Sequence, residues 1–450
     1  MPRTWDPAGS APGERGYAEA TRVFNTAQPA RPAYAVTARS VEEVRTAVRR
    51  AADKGLAVRT HATGHASGSG PDMGDALLVR TLIGGGVGVD ARSRRARVPA
   101  GTTWGEVVDA CAPHGLAAAH GSSPVVGVVG YLLRGGLSSY GRFRGVASNG
   151  LRAVELVTAD GGTVRVDAST DPELLWALRG GGGGLGVVTA VEIDLFPLTE
   201  VVTGAAFWRP RDAERVLRAW REWLPGAPGT VTTSLRVMRL PDAPGVPREL
   251  RGGPVLCVDG TAVPDGSGQD AAAAAESLLG PLRAAARPLL DTWRAATPTE
   301  VPLSHMDPVD PLPLVNDHML LRETGEEGAG LFLETALEDA SAPVANLELR
   351  HLGGALSSPD VPGGAVDRFD AAHAYVAGGV VVRDPGEVSA RLSDVRRRLS
   401  PWDTGRTAPT FAGSDGAPAL SEETARRVAG VRRRTDPSGL FRGDAHPCCT

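Results

Sequence analysis

Two histidines, His61 and His65, stand four residues apart in the stretch LAVRTHATGHASGSG at residues 56–70. On a helix that spacing brings two imidazoles to one face, as in a zinc site. Gly64, Gly68 and Gly70 resist helical order, residues 56–58 read as a short buried strand, and no Glu or third ligand stands between or just after the histidines. The pattern therefore points away from metal and toward the main chain, because glycine and alanine let backbone N–H groups approach and surround an anion. A second group of chemically able side chains lies far along the chain. SHMDPVDPLPLVNDHMLL places His305, Asp307 and His318 in one Pro-rich loop, and LELRHLGGA places Glu348, Arg350 and His351 on a strand. Alternation puts Glu348 and Arg350 on one face and His351 on the other. An inward Glu348 would act as a general base or form a structural pair with Arg350, while His305 or His318 would exchange protons near neutrality or brace the DP turns.

Regular elements must hold these groups. Ser40 and Glu43 form a capping box, and Val41, Val44, Val48 and Ala51 follow at helical spacing until Gly55. Thr103 and Glu106 repeat the device through Val107 and Cys111 to Gly115, and in both cases a strand then leads into a small-residue loop. LRAVELVTADGGTVRVD reads as a hairpin about Asp160 and Gly161. Asp171 and Pro172 open a helix that ends in five glycines before the strand GVVTAVEIDLF, and Pro197 closes this first block. Beyond it, Pro/Gly connectors alternate with Ala-rich segments. There TSLRVMRL, PVLCVDGTAV, VANLELRHLGG and AHAYVAGGVVV suit an antiparallel sheet with helices on one face.

A chain of 450 residues exceeds the size of one core, so two domains are expected. The 48 basic and 52 acidic residues are interspersed without long like-charged runs, which argues against a nucleic-acid or anionic-membrane partner. The first residues lack a basic segment followed by an apolar one, and no apolar run is long enough to span a bilayer, so a cytoplasmic location is expected. Four cysteines are too few for a disulfide framework: Cys111 and Cys257 read as buried hydrophobes, and Cys448 and Cys449 as a frayed tail.

ATGHASG resembles the flavin-attachment loop of the berberine-bridge-enzyme-like oxidoreductases, within the superfamily that shares the vanillyl-alcohol-oxidase, or PCMH-type, FAD domain. HGSSPVVGVVGYLLRGG, GVASNGLRAVELVTADG, LWALRGGGGGLGVVTAVEIDLFPL, LRHLGGALSSP and VRRRTDPSGLFRGDAHP are similar to that family in the same order. The resemblance implies an α+β fold in two domains: an FAD-binding domain over residues 1–205, a substrate domain of antiparallel sheet covered by helices over 206–404, and a segment 405–450 returning to the first. It implies FAD joined covalently to His65, with His61 in a loop-supporting role and Thr60, Ala62, Thr63, Gly64 and Ala66 completing the first phosphate loop. Gly121, Ser122, Ser123, Val126, Gly127, Gly130, Tyr131, Arg134, Gly135 and Gly136 would form the second. Asn149, Gly186, Val187 and Phe411 would complete the cofactor site, with no metal. Many relatives carry a second link through a cysteine where this chain has Ser122, Ser123 and Pro124, so a single bond is expected, as in singly attached bacterial members.

Several positions depart from the family pattern. Arg134 replaces the first residue of a glycine triplet, and would contact the pyrophosphate or face solvent. Ala408 and Pro409 precede Thr410 and Phe411 where relatives often place a tyrosine. Asp444 replaces an asparagine near the flavin ring, as a base or as an exposed tail acid. Glu348, His305, His318 and Asp444 are thus the candidate acid–base residues. The activity implied is oxidation of a small organic molecule, such as a carbohydrate, an amine or a secondary metabolite. Hydride would pass to flavin N5 and O2 would act as electron acceptor. A redox-neutral cyclase or isomerase with structural FAD, and a flavin-binding protein without catalysis, are the other readings. Oligomeric state is not legible.

Overall fold

The computed structural model describes residues 9–443 apart from 71, 267, 269, 339–341, 362, 383 and 413–416. Its first layer is a three-stranded parallel sheet in the order Tyr34–Ala38, Ala76–Thr81, Ala57–His61. The helix Val41–Asp53 covers it with Val44, Ala47, Val48 and Ala51. That helix begins where the sequence marks it, since Ser40 Oγ accepts the Glu43 N–H at 3.2 Å and satisfies a backbone donor the helix cannot. The Thr103–Glu106 capping box likewise starts the helix Trp104–Cys111.

The second layer is a five-stranded antiparallel sheet in the order Gly88–Asp90, Arg95–Pro99, Val187–Asp194, Leu151–Val157, Thr163–Asp167. Its last pair is the expected hairpin, turned at Gly161 with φ +76°.

The third is an eight-stranded antiparallel sheet. Along it run Leu290–Asp291, Val201–Trp208, Pro254–Ala262, Val231–Arg239, Asn346–His351, His373–Val380 and Leu314–Leu321, with Arg294–Ala296 also paired to Val201–Trp208. The helices Ala213–Trp223, Ala271–Ala285, Gly325–Leu337 and Pro385–Leu399 bury their apolar stripes with it in one core.

Two strands differ from the sequence reading. Residues 314–321 are not part of the Pro-rich loop but a strand paired residue for residue with His373–Val380, so His318 is a sheet residue. The prolines that suggested a loop, Pro308, Pro311 and Pro313, all precede it. The strand Val201–Trp208 straddles the expected boundary at 205/206 and belongs wholly to the large sheet. At the other end of the chain, Val58 N–H donates to the Leu440 carbonyl at 2.7 Å and Arg442 N–H to the Val58 carbonyl at 3.0 Å. Phe441 joins the apolar cluster under the 41–53 helix.

Candidate active site

The loop after the 57–61 strand and the segment 121–136 face each other across a cavity with two lobes. One, of about 130 Å³, is walled by Thr60, His61, Ala62, Thr63 and Gly64 on one side and by Gly127 and Gly130 on the other. The second, of about 320 Å³, adds Gly121, Ser122, Ser123, Asp307, His318, Arg350 and Phe411. Both lobes include His65, Ala66, Val126, Tyr131, Arg134 and Thr410, so His65 stands where they meet.

His65 is held by its neighbours on two sides. Its Nδ1 lies 2.8 Å from Thr63 Oγ1, and the Phe24 ring stacks on it at 4.0 Å between centroids. Its Nε2 is buried without a hydrogen-bond partner. Burial pushes the imidazole down to about 4, against an upward pull from Asp307, so the ring is neutral at pH 7. His61 is neutral for the same reason, also near 4, and its Nε2–H donates to the Ala20 carbonyl at 2.7 Å, which ties the loop to the preceding chain. Among the described residues no three His, Cys, Asp or Glu side chains converge as a metal set.

The loop needs its glycine before the histidine. Gly64 has φ +75°, and a Cβ there would come within 2.7 Å of Val23 Cα. Opposite, the Tyr131 ring packs so closely on Gly136 (φ +80°) that a Cβ would lie 2.3 Å from it. The Tyr131 hydroxyl is buried without a partner, and burial raises its pKa, so it stays a neutral phenol. Arg134 is buried, not solvent-facing, and donates from Nη2 to the Ala412 carbonyl at 3.0 Å. A Cβ on Gly130 would meet nothing within 4 Å, so the backbone is open there. Orphaned polar atoms on His65 and Tyr131, an accessible glycine backbone and a buried guanidinium fit a flat, anionic, nucleotide-like group.

Five expected cofactor residues do not line either lobe. Gly135 and Gly136 shape the turn behind Tyr131, both at positive φ. Asn149 donates to the Asp367 carbonyl at 3.0 Å and borders a separate pocket with Trp104 and Arg144. Gly186 packs against Leu156, and Val187 is fully buried in the core. Asp444 lies outside the described residues.

The large sheet supplies the charged wall. Glu348 is buried and accepts from Ser234 Oγ at 2.6 Å and Arg350 Nε at 2.7 Å, with His305 Nε2 3.4 Å from its other oxygen. Burial opposes its charge, yet Arg350, His305 and Arg236 hold its pKa well below the usual carboxylate range. It stands behind Arg350 and off the cavity wall, as a structural pair and not an inward base. His318 has no free nitrogen: Nδ1–H donates to the Tyr375 carbonyl at 2.6 Å, and Nε2 accepts the Ala408 N–H at 3.0 Å. Burial lowers it to about 4. Its role is to seat the Pro409–Phe411 turn. His305 is the opposite case. Burial and Arg236 push it down, but Asp259, Asp307 and Glu348 outweigh them and raise it to about 9, so it is cationic at neutral pH. His351 faces the other way, toward Trp220, Trp223 and Arg142.

Asn25, Gln28, Asn316 and Asp317 also line the larger lobe and were not singled out from the sequence. Asn25 reaches it only because its amide bonds to Leu314 across most of the chain, a contact no local pattern signals. Asp317, beside His318, is clamped by Arg396.

Residues 32–167 match the family model described as FAD binding domain. (R)-6-hydroxynicotine oxidase of Paenarthrobacter nicotinovorans is 32% identical over 205 residues, 45% of this chain and 44% of that protein. Xylooligosaccharide oxidase of Thermothelomyces thermophilus is 30% identical over 209 residues, 45% of this chain and 42% of that protein. The chain thus spans under half the length of these curated relatives. In three dimensions the likeness is nearly complete. The crystal structure of 6-hydroxy-D-nicotine oxidase from Arthrobacter nicotinovorans superposes with a TM-score of 0.82 at 22% identity, covering 97% of this chain and 96% of that one. Physcomitrella patens BBE-like 1 superposes with a TM-score of 0.81 at 17% identity, covering 98% and 97%. The chain therefore carries an FAD binding domain at residues 32–167, within the PCMH-type flavoprotein fold.

Proposed function

We propose that this protein is an FAD-linked oxidoreductase that oxidises a small organic molecule, with the cofactor covalently attached through His65 alone and O2 as electron acceptor. The observation that carries the proposal is His65 itself: a neutral imidazole, oriented by Thr63 and Phe24, with one buried nitrogen unpartnered at the junction of the two lobes. A neutral ring keeps the lone pair that bond formation to the flavin methyl group requires. Bound FAD supplies the capacity to take a hydride from substrate carbon. The rest falls to the chain's own residues. Backbone of the 60–66 loop and of Gly127 and Gly130, with Arg134, would hold the pyrophosphate. Ser122 and Ser123, standing where a second attachment would need cysteine, support a single link and a place among singly attached bacterial members.

The relatives named above are oxidases acting, by their names, on hydroxynicotine and xylooligosaccharides, which favours oxidation over redox-neutral chemistry and suits a role in tailoring small metabolites. The flavin unit would be discontinuous, residues 1–200 with 405–450, supported by the Val58–Leu440 contact, with the large sheet from Val201 onward as the substrate domain.

Acid-precipitated protein should stay yellow and fluorescent, and His65→Ala should release all its flavin. Loss of all colour from the unmodified protein would overturn the attachment. Anaerobic mixing with 6-hydroxynicotine, xylobiose and simple secondary amines and alcohols tests the activity, which predicts bleaching of the flavin absorbance by at least one of them.

A further inference from the structure

We propose that Asp307 is the residue that takes the substrate's proton, and that His305 behind it is a positioning residue for its carboxylate. The inference rests on the oxidoreductase reading and adds to it a substrate class, a compound whose oxidised carbon bears an N–H or O–H.

The chain is bent to present these two residues together. The short helix Val301–Ser304 ends at His305, and Met306 then adopts φ 58°. A non-glycine residue in the left-handed region carries strain, and such strain concentrates at functional sites. Met306 is 41% exposed, while His305 beside it is 8% exposed. The turn therefore sends Met306 outward, while His305 joins the buried charge network and Asp307 joins the cavity wall.

Asp307 Oδ2 accepts from Ser122 Oγ at 2.5 Å, and Oδ1 lies 3.9 Å from His305 Nε2. His305 is itself fixed from three sides: Nδ1 lies 2.9 Å from Asp259, and Nε2 lies 3.4 Å from Glu348 and 3.2 Å from Arg350 Nη2. Asp307 lines the larger lobe together with His65 and lies 3.9 Å from His305, so the carboxylate stands between the flavin-attachment loop and the sheet network.

Other titratable groups on this wall are paired or held neutral by burial. His318 uses both nitrogens, Asp317 is clamped by Arg396, Arg350 is a cation paired to Glu348, and the Tyr131 phenol is held neutral by burial. Among the described titratable groups of this wall, Asp307 combines an acceptor oxygen with a side chain about one third exposed, at 32%.

Removing a hydride from carbon yields a neutral C=N or C=O when the heteroatom also gives up its proton. The N–H or O–H proton would go to Asp307, leaving its bonding pair to complete a neutral double bond to carbon, while bound FAD would supply the acceptor for the hydride and its electron pair. The exposed carboxyl then returns the proton to solvent after product departs.

Asp307→Asn, which keeps the shape, should retain acid-stable flavin yet bleach about a hundredfold or more slowly with the compound that bleaches the wild type. His305→Gln should slow bleaching less and displace its pH profile. A substrate-independent arm follows the His305 ring by ¹³C NMR. Arg236, Asp259, Glu348, Arg350 and Asp307 all face that ring, and Asp307→Asn should lower its titration midpoint from about 9 because one raising carboxylate is gone. Bleaching within about threefold of wild type, or an unmoved His305 midpoint, would refute the assignment. If no compound bleaches even the wild-type flavin, the oxidoreductase reading itself falls and takes the proposal with it, an outcome distinct from a wild type that bleaches and a variant that does so equally well.

Discussion

His65 on the loop wall of the cavity and His305 behind its sheet wall are the same side chain in opposite states. Along the loop wall His61 and His65 are both pushed down to about 4 by burial, and each leans on a neutral oxygen: a backbone carbonyl for His61, a threonine hydroxyl for His65. Behind the sheet wall His305 is as enclosed as they are, yet it is raised to about 9, because Asp259, Asp307 and Glu348 together outweigh burial and Arg236. Burial sets the state of an imidazole unless several opposite charges converge on it, as three carboxylates do at His305 and one does not at His65. The loop wall suits a nucleophilic, uncharged attachment point. The sheet wall suits fixed charge beside a reacting substrate.

The contrast should be plainest in stability. Behind the sheet wall Glu348 compensates Arg350 and faces His305, all buried. Glu348→Ala would strand Arg350 without its carboxylate, at a cost of about 3–5 kcal/mol. On the loop wall Thr63→Ala removes one neutral hydrogen bond, for about 1 kcal/mol. Urea unfolding of the two variants measures both, and equal losses would show that the charge network does not bear on stability as the geometry implies.

The pH dependence separates the two kinds of histidine. His318 and His373 are buried with folded values near 4, and His373 has neither ring nitrogen partnered. Because these values are depressed, the unfolded chain takes up protons first. Their stabilisation is complete above the unfolded value near 6.5 and is lost as pH falls below it, by up to about 1.4 kcal/mol per pH unit for each group. His305 has a raised value, so its contribution is complete below about 6.5 and is lost as pH climbs toward 9. Unfolding midpoints across pH 5 to 9 should therefore peak at about 6.5. His373→Leu should flatten the acid side and His305→Gln the alkaline side. A single slope across the range would contradict the opposite shifts.

Much of this was legible in the sequence because it was local. Ser40 with Glu43, Thr103 with Glu106 and the Asp160–Gly161 turn announce their elements within a few residues, and each begins or turns where it should. The Gly64–His65 stretch was legible as a non-helical small-residue loop for the same reason. What was missed depends on tertiary placement. The strand Leu314–Leu321 follows a proline cluster that masks it, and alternation cannot show that His318 spends both nitrogens on Tyr375 and Ala408, residues far apart in sequence. The Glu348–Arg350 pairing follows from strand alternation, but the charge at His305 needs three carboxylates from three different segments. Asp307 was visible as a neighbour of His305 and gained its place on the wall only through Ser122 and the turn at Met306.

The smallest expected effect tests how the loop wall aims its histidine. Phe24 stacks nearly flat on the His65 ring, 14° between planes, and Thr63 holds the ring edge through Nδ1. A stacked aromatic contact of this kind is worth about 0.5–1.5 kcal/mol beyond its buried area. Phe24→Ala should then lower the population of correctly oriented rings by about two- to tenfold and slow covalent attachment by the same factor, while the final extent of attachment is unchanged. Adding FAD to apoprotein and following acid-stable fluorescence with time measures the rate and the end point together. Thr63→Val completes the comparison, since it frees Nδ1 and leaves the stack. If Phe24→Ala attaches flavin at the wild-type rate while Thr63→Val does not, the hydroxyl alone orients His65. If both are slowed and the double variant loses the product of the two factors, the His65 ring is held by two independent uncharged contacts.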